Sequence, residues 1–503
     1  MAQQHFDRLS AVDASFLHQE GANSHMHVGA VTIIEGPPPP FEEFLDALRG
    51  RLHLVPRYRQ KLTFPRFESG RPLWVDDCAF NLEYHVRQSA LPNPGSEEQL
   101  RNLAARIFSQ RLDRSRPLWE LWLVENLQPA AGGAARFAVI SKTHHAMIDG
   151  ISGVDLATVI FDLSPVPQEV DHPDAPWAAK PQPGTAEVLA SGALGAVRSG
   201  VGLATRAINI LTRPGAAAAE VREAAEGIGE IVWAGLNPAP PTPLNVPIGP
   251  HRRYASVTAQ LRDFKLVKDT FGGTVNDVVL TVVSGALREW LRSRGTRTEG
   301  LELRALVPVS IRTPQEHHTL GNRIAAMRGP LPVYIEDPIA RLRTVKQAMD
   351  GLKESKQAVG AEVLAGVQSF APPTVLAQAS RLNFSTRLFN LIVTNVPGPQ
   401  FPIYVRGREM QSIFPVAFLP EDHALAVAIM SYNGGMNFGL LGDYDALPDI
   451  QDIADGIEAS LAELVALAKK QQARDRGAEP EAVNGAGAGR VRRRPGAPVS
   501  VTP

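Results

Sequence analysis

The most constraining feature of this 503-residue sequence is the stretch 137–163, FAVISKTHHAMIDGISGVDLATVIFDL. Its first part is a short apolar run that predicts a β-strand, and its last part has apolar residues at helical spacing. His144, His145, Asp149 and Gly150 occupy the junction between the two. Because glycine tolerates backbone conformations that other residues avoid, Gly150 allows a sharp turn there. Side chains at such a junction lie at the rim of a rigid scaffold, where functional residues are usually found.

The adjacent histidines suit acid–base chemistry better than metal binding. Neutral imidazole has an ordinary pKa of ~6.5, close to the working pH of most enzymes. A catalytic base also needs a second group that fixes its orientation. A zinc site would need more ligands, yet the sequence has no HExxH motif and only one cysteine, Cys78. A structural pair of histidines is the alternative.

Length and composition predict a globular protein of two domains. A chain of 503 residues is longer than a single hydrophobic core normally supports. The net charge of −1 gives no indication of a nucleic-acid partner. A single cysteine cannot form an internal disulfide, which fits a reducing cytoplasm. The N-terminus lacks the pattern of a secretory signal, and no stretch has the ~18 uninterrupted apolar residues of a membrane-spanning helix.

Predicted strands and helices alternate along the chain, which is the pattern of an α/β fold. In the first half the predicted strands are 26–34, 74–86, 121–127 and 137–143, and the predicted helices are 41–53, 96–109 and 154–163. In the second half the predicted strands are 253–261, 303–311, 323–333, 391–396, 424–432 and 436–441, and the predicted helices are 263–270, 274–292, 338–354 and 450–467. The Asn-Gly pair at 433–434 predicts a hairpin between the last two strands.

Proline-rich stretches suggest how the chain is divided. We expect an N-terminal domain over 1–165 and a C-terminal domain over 251–470. Between them, 166–250 is expected to form a proline-rich linker with crossover helices. Its stretch 185–211 either packs between the domains or lies on a membrane surface. Residues 471–503 are poor in large apolar residues and are predicted to be a disordered basic tail.

Seven motifs, taken together and in this order, resemble the bacterial wax ester synthase/diacylglycerol acyltransferase family. HHAMIDG resembles the HHxxxDG signature of the acyltransferase superfamily that also contains chloramphenicol acetyltransferase and peptide-synthetase condensation domains. Each motif is weak alone, but the ordered set is specific, and the resemblance runs from about residue 9 to about residue 467. The motifs are LSAVDASFL (9–17), RPLWE (116–120), HHAMIDG (144–150), TVNDVVL (274–280), GNRIAAM (321–327), NVPGP (395–399) and SYNGGMNFGLLGD (431–443).

The resemblance implies two α/β sandwich domains of the chloramphenicol-acetyltransferase type, with an active-site tunnel between them. It also implies that the protein transfers a long-chain acyl group from acyl-CoA to the hydroxyl of diacylglycerol and forms triacylglycerol. A fatty alcohol as acceptor, giving a wax ester, is the alternative, and one enzyme can serve both. No cofactor is implied, because acyl-CoA is a co-substrate, and no acyl-enzyme is expected because the sequence has no GxSxG motif.

The same resemblance assigns roles to individual residues. His145 is the general base, and His144 shapes the site. Asp149 is expected to orient the loop through an ion pair, for which Arg312 is the candidate partner. Asn276 either caps a helix or donates a hydrogen bond to the developing oxyanion. The remaining supporting or substrate-binding candidates are Gly150, Asp277, Pro117, Leu118 and Trp119.

Two other functions would share part of this pattern. A condensation-type or polyketide-associated acyltransferase would have HHxxxDG without the other motifs, and a non-catalytic lipid-binding paralogue would bind lipid without turnover. The expected location is the cytoplasm, with peripheral contact at the inner face of the plasma membrane or at lipid droplets. Residues 57–62 are basic and form either a solvated face or the edge of a site for a phosphorylated ligand.

Overall fold

The computed structural model describes residues 7–64, 71–129, 133–147, 159–167, 177–184, 187, 237–310, 324–354 and 385–477. The stretches 188–211 and 220–233, where helices are predicted, lie outside these residues. The helices are α1 (Ala11–Gln19), α2 (Phe41–Arg51), α3 (Leu82–His85), α4 (Glu97–Ser109), α5 (Leu261–Phe271), α6 (Val275–Ser293), α7 (Pro338–Glu354) and α8 (Ile450–Gly477).

The strands form two six-stranded sheets and one small three-stranded sheet, so the predicted α/β class is confirmed. The strands are β1 (Asp7–Arg8), β2 (His27–Glu35), β3 (Gln60–Thr63), β4 (Leu73–Asp76), β5 (Val86–Ala90), β6 (Trp119–Leu127), β7 (Arg136–His144), β8 (Arg252–Gln260), β9 (Leu303–Ser310), β10 (Ile324–Leu331), β11 (Leu391–Pro397), β12 (Tyr404–Val405), β13 (Arg408–Val416), β14 (Leu425–Tyr432) and β15 (Gly435–Asp443).

The first six-stranded sheet has the order β12-β13-β2-β7-β6-β5, with β7 near its centre. Both faces of β7 are covered by protein. Phe137 and Val139 join one buried apolar cluster, whereas Ala138 and Ile140 join another on the opposite face. A strand covered on both faces is a continuous apolar run. This burial explains why the four residues from Phe137 to Ile140 are all apolar.

The second six-stranded sheet has the order β10-β9-β11-β14-β15-β8. Strand β11 runs parallel to β9 and β14, and the other neighbours are antiparallel. The predicted hairpin between β14 and β15 is confirmed. Asn433 and Gly434 both have positive φ, 42° and 83°. Positive φ at both central residues is what a two-residue type I′ hairpin turn requires. Helices α6 and α8 supply much of the apolar core that covers this sheet.

The two large sheets are linked by strands that sequence analysis did not predict. Strands β12 and β13 come from the second half of the chain but lie in the first sheet, where β13 pairs antiparallel with β2. The first sheet therefore includes strands from the range assigned to the C-terminal domain. The predicted domain boundaries stay a prediction, but a cut at residue 165 would separate this sheet from two of its strands.

Three local predictions were wrong. The predicted helix 154–163 does not reach residue 163, because Asp162 forms an isolated antiparallel bridge with Tyr404. Residues 82–85, predicted as part of a strand, form the short helix α3, because the side chain of Asn81 accepts a hydrogen bond from the backbone N–H of Glu83 and caps it. The last helix continues to Gly477, past residue 471 where disorder was expected. A hydrogen bond of 2.9 Å from the Gln471 amide to the Asp475 carboxylate supports this extension.

None of the described helices is, by itself, long and apolar enough to cross a bilayer. Helices α5 and α6 would pass that test together by length and composition, but they meet at an angle of 101°.

We expect Gly439→Ala to destabilise the protein, because Gly439 lies at a close contact between the two sheets. A Cβ at this position of β15 would lie 2.0 Å from the carbonyl oxygen of Pro415 on β13. Relieving this clash would require the backbone of β13 to shift, which costs free energy. Overpacking of this kind costs about 1–3 kcal/mol or more. The free energy of unfolding in urea measures the effect.

The control is Gly351→Ala in α7, where an added Cβ meets no atom within 4 Å. Removing a helical glycine should leave stability unchanged or raise it by up to about 1 kcal/mol. Equal stability of the Gly439→Ala protein and the parent would contradict the tight sheet contact.

Candidate active site

The two histidines lie where strand β7 ends. His144 is its last residue, and His145 begins a single 3-10 turn. Both are held by their backbones. The N–H of His144 donates to the Leu118 carbonyl at 2.9 Å, and the N–H of His145 donates to the Met26 carbonyl at 2.8 Å. The chain segments on either side of β7 therefore fix the position of the histidine pair.

The PLW motif supports this arrangement through its backbone and its packing. Leu118 supplies the carbonyl that binds His144, and Trp119 is buried at the start of β6. The Trp119 indole N–H donates to the Tyr58 carbonyl at 2.8 Å, and its ring stacks on His85 at 4.7 Å. The Pro117 carbonyl accepts from the Trp119 N–H at 3.0 Å. These contacts make the motif a structural support for the strand that holds His144.

The His145 ring lies between aromatic side chains. It stacks on Phe16 of α1, with ring centroids 3.9 Å apart, and contacts Phe418 edge-on at 5.7 Å. Its Nδ1 is buried and has no hydrogen-bond partner among the described residues. Burial, followed by the neighbouring His144, lowers the pKa of His145 to about 4. The imidazole is therefore neutral at physiological pH and can accept a proton.

His144 has a defined tautomer. Its Nδ1 accepts a hydrogen bond of 3.0 Å from the backbone N–H of Ala146, so the ring proton lies on Nε2. That Nε2 lies 3.7 Å from the Glu20 carboxylate, which is close enough for electrostatic attraction but too long for a hydrogen bond. Burial lowers the pKa of His144, partly opposed by Glu20. His144 is thus a neutral, oriented ring beside a buried carboxylate.

Glu20 is a residue that sequence analysis missed. Its side chain is only 1 % exposed. The Arg114 guanidinium donates to it through Nε at 2.8 Å and also through Nη2. Arg111 and His27 approach its other oxygen, with nitrogens at 3.6 and 3.8 Å. Burial raises the pKa of Glu20, but His144 and Arg114 together outweigh it and lower the pKa to about 2.

The ND motif lies in the second half of the molecule. The Thr274 hydroxyl accepts from the Asp277 N–H, and the Asp277 carboxylate accepts from the Thr274 N–H at 2.7 Å. This capping box confirms the predicted start of α6 and makes Asp277 a capping residue. The Asn276 side-chain oxygen accepts from Asn395 at 3.5 Å, so the ND and NVPGP motifs meet. No hydrogen bond within the described part of the chain joins Asn276 to His145.

Three predicted site residues lie outside the described residues: Asp149, Gly150 and Arg312. The ion pair between Asp149 and Arg312 therefore stays a prediction. The other predicted residues fall into two groups. His144, His145 and the PLW motif share the end of β7, whereas Asn276 and Asp277 lie at the start of α6.

The structure thus places the histidine pair of HHAMIDG at a strand end, on a fold of two sheets joined by a crossing strand. Two family models match the chain: the wax ester synthase/diacylglycerol acyltransferase catalytic domain over residues 9–279, and the WS/DGAT C-terminal domain over residues 320–465. The chain belongs to the wax ester synthase/diacylglycerol acyltransferase family.

Similar proteins agree with this assignment. The probable diacylglycerol O-acyltransferase tgs1 of Mycobacterium tuberculosis is 35 % identical over 477 residues, which cover 94 % of this chain and 99 % of that protein. The probable diacylglycerol O-acyltransferase tgs2 of the same species is 32 % identical over 475 residues, 91 % of this chain and 98 % of that protein. These matches extend along nearly the full length of both relatives.

Solved structures show the same fold. The wax ester synthase/diacylglycerol acyltransferase of Marinobacter aquaeolei VT8 superposes with a TM-score of 0.64 at 27 % identity, covering 92 % of this chain and 100 % of that one. The starter condensation domain of rhizomide synthetase, in complex with C8-CoA, superposes with a TM-score of 0.53 at 13 % identity. The match covers 92 % of this chain and 95 % of that one. The second similarity concerns the fold alone.

We expect Glu20→Gln to destabilise the protein at neutral pH. The substitution keeps the shape of the side chain but removes the charge that binds Arg114. The loss should be smaller than the about 3–5 kcal/mol of a fully buried pair, because the Arg114 side chain is 33 % exposed. Urea unfolding at pH 7 measures the difference between the two proteins.

The same variant gives a pH test with a defined sign. The folded-state pKa of Glu20, about 2, lies below its ordinary value of 4.5. The contribution of the Glu20 charge to the stability of the folded protein is therefore complete above pH 4.5 and is lost as the pH falls towards 2. The difference in the free energy of unfolding between the parent and the variant should therefore become smaller from pH 7 to pH 3. Glu299→Gln, at an exposed glutamate, is the control, and a gap that does not depend on pH would contradict a buried Glu20 anion.

Proposed function

We propose that the protein transfers a long-chain acyl group from acyl-CoA to the hydroxyl of diacylglycerol, with His145 as the general base. The observation that carries this proposal is the neutral His145 ring, which is held at a strand end between two aromatic side chains. The names of the mycobacterial relatives support diacylglycerol as the acceptor. The reaction as proposed uses no cofactor.

The proposed step is direct transfer between the two substrates. A ring nitrogen of His145 takes the proton of the acceptor hydroxyl while the oxygen attacks the thioester carbonyl. The carbonyl carbon becomes tetrahedral, its bond to sulfur breaks, and coenzyme A leaves as a thiolate. The imidazolium then returns its proton to that sulfur. An ester and free coenzyme A remain, and His145 is neutral again.

The aromatic walls suit this chemistry in a second way. Phe16 and Phe418 cover the His145 ring with apolar surface, which keeps water away from the thioester and limits its hydrolysis. Exclusion of water also strengthens any hydrogen bond to the developing oxyanion. Asn276 is the proposed donor, because its side-chain oxygen is occupied by Asn395 and its amide N–H groups remain to donate.

His144 and Glu20 are proposed to position the site without touching the substrate. The Ala146 N–H donates to Nδ1 of His144, and the Glu20 carboxylate attracts Nε2 on the opposite side of the ring. A fixed His144 keeps the next residue, His145, in register with the Met26 carbonyl. Asp149 is proposed to order the following loop by pairing with Arg312.

Wax ester synthesis is the second candidate, because the family and the Marinobacter relative include it by name. A fatty alcohol would meet the same base in the same way, so only the shape of the acceptor channel separates the two reactions. We further propose that the protein acts in the cytoplasm, in peripheral contact with the inner face of the plasma membrane or with lipid droplets.

Exposed apolar side chains near β12 support a lipid contact. Leu163 is 77 % exposed and Phe401 is 52 % exposed. The backbone hydrogen bonds between Asp162 and Tyr404 bring their chain segments together. Both exposed apolar side chains therefore lie on chain segments that meet at the surface, which supports the proposed lipid contact.

We expect His145→Ala to lower kcat by about 10²–10⁴, the contribution of a general base, without unfolding the protein. The measurement is coenzyme A release from palmitoyl-CoA, with a diacylglycerol or hexadecanol as acceptor. The better acceptor with the parent enzyme decides between triacylglycerol and wax ester synthesis. His53→Ala, at an exposed histidine, is the control. Release that persists in the His145→Ala protein would contradict the assignment of the base, and no release by the parent would favour a lipid-binding role.

The pH profile is a further expectation. Since the pKa of His145 is lowered to about 4, the base stays deprotonated well below pH 6.5. The value of kcat/KM should therefore be nearly constant from pH 8 to about 5 and should fall only as the pH approaches 4. Tryptophan fluorescence at each pH checks that the protein stays folded. A decline centred near pH 6.5 would show that the ring is more solvated than its packing indicates.

A further inference from the structure

A cleft of about 920 Å³ lies between the two halves of the molecule, outside the set of residues around His145. Helix α4 forms one wall, and strand β8 with the segment that joins β15 to α8 forms the other. Its lining is strongly basic. Among the described residues, the lining includes four arginines and a single carboxylate: Arg101, Arg106, Arg252, Arg253 and Glu98. A concave surface of one charge attracts ligands of the opposite charge.

Two of these arginines are fixed by the protein itself. Arg252 is buried and donates to the carbonyls of Gly249 and His251 at 2.7 and 2.9 Å. Arg253 donates to the Tyr444 carbonyl at 2.9 Å and lies over the Tyr444 ring at 4.0 Å. These side chains shape the floor and one wall of the cleft.

Arg101 and Arg106 are different, because neither makes a hydrogen bond or an ion pair within the described part of the chain. Both project from α4 into the cleft. The basic stretch 57–62 contrasts with them. There Arg57 pairs with Asp7 at 3.4 Å, and Lys61 pairs with Asp77 at 2.9 Å. The third cation of that stretch, Arg59, lies over the Trp177 ring at 4.6 Å. Arg101 and Arg106, in contrast, line a cleft and have no such contact among the described residues.

An exposed aromatic ring completes the lining. Tyr444 is 44 % exposed, and His251 stands edge-on to it at 6.1 Å. Guanidinium groups bind phosphate through paired N–H donors, and aromatic rings stack with planar bases. Phosphate and a planar base together are the features of a nucleotide.

The cleft is also within reach of the histidine pair. The Arg252 guanidinium on its floor donates to the Asn23 carbonyl. Three residues further on, the Met26 carbonyl binds the His145 N–H. A three-residue segment spans at most about 11 Å. The pantetheine arm of coenzyme A has more bonds along its chain than three residues of backbone, so it can bridge this distance.

We propose that the cleft binds the adenosine 3′,5′-bisphosphate end of the acyl-CoA donor, an inference that rests on the proposed function. Arg101 and Arg106 contact the phosphate groups, and Tyr444 stacks with the adenine. Arg252 and Arg253 hold the floor and the tyrosine in place. Glu98 is the only carboxylate among the described residues of the lining and weakens the attraction.

The first test measures binding without turnover. Calorimetry with free coenzyme A compares the parent with the double variant Arg101→Gln/Arg106→Gln, and Arg262→Gln on α5 is the control at an exposed arginine outside the cleft. Loss of charge-assisted contacts should weaken binding about tenfold or more in the double variant and leave the control unchanged. Dephospho-coenzyme A, which lacks the 3′-phosphate, should bind the parent more weakly than coenzyme A does. Thermal unfolding curves check that both proteins are folded. Equal affinity of the folded parent and the folded double variant for coenzyme A would overturn the assignment.

A second test separates this inference from the proposed function. Palmitoyl-CoA is compared with the palmitoyl thioester of N-acetylcysteamine, which has no nucleotide. The double variant should raise KM for palmitoyl-CoA about tenfold or more, with kcat unchanged, and leave the short thioester unaffected. If the parent binds coenzyme A through these arginines but turns over neither thioester, the proposed function fails and the cleft assignment stands. If both thioesters are turned over and the double variant treats them as the parent does, the cleft assignment fails and the proposed function stands.

A lipid headgroup could supply similar phosphate chemistry. Co-sedimentation with phosphatidylglycerol vesicles distinguishes this source. Loss of vesicle binding in the double variant, with coenzyme A binding unchanged, would overturn the assignment to coenzyme A. Unchanged vesicle binding, with weakened coenzyme A binding, supports it.

Discussion

The active site depends on the position of strand β2 between two partners. On one side β2 pairs with β7, so that His27 lies opposite His144. The residue before β2, Met26, binds the backbone of His145. On its other side β2 pairs with β13, which comes from the distant second half of the chain. One strand therefore both positions the histidine pair and joins the halves of the molecule.

Electrostatics around this strand follow from burial. A carboxylate as buried as Glu20 would be unstable without compensating partners, and Arg114 and the surrounding polar groups supply them. His145 has the opposite environment, since aromatic rings pack against it and no ion pair contacts it within the described part of the chain. At physiological pH, burial and its compensating partners thus leave Glu20 as an anion, whereas burial leaves His145 as a neutral base.

Sequence analysis predicted the local features well. The apolar run before His144 predicted β7, and Thr274 with Asp277 predicted the start of α6, because both patterns lie within a few neighbouring residues. Features that depend on distant contacts were missed. Glu20 pairs with an arginine 94 positions away, and β13 pairs with a strand about 380 positions away. The PLW motif acts through the Leu118 carbonyl, a backbone atom that no side-chain pattern reveals.

The crossing of β13 into the first sheet also affects how the chain folds as it is synthesised. Until residue 416 has left the ribosome, β2 has no partner on one side, and a row of unpaired backbone groups is exposed at that edge. Pairing across so many residues closes a long loop, which is slow. The nascent first half is therefore an incomplete sheet whose open edge can pair with other chains, so chaperones that shield such edges would matter more for this protein than for one whose domains fold in sequence.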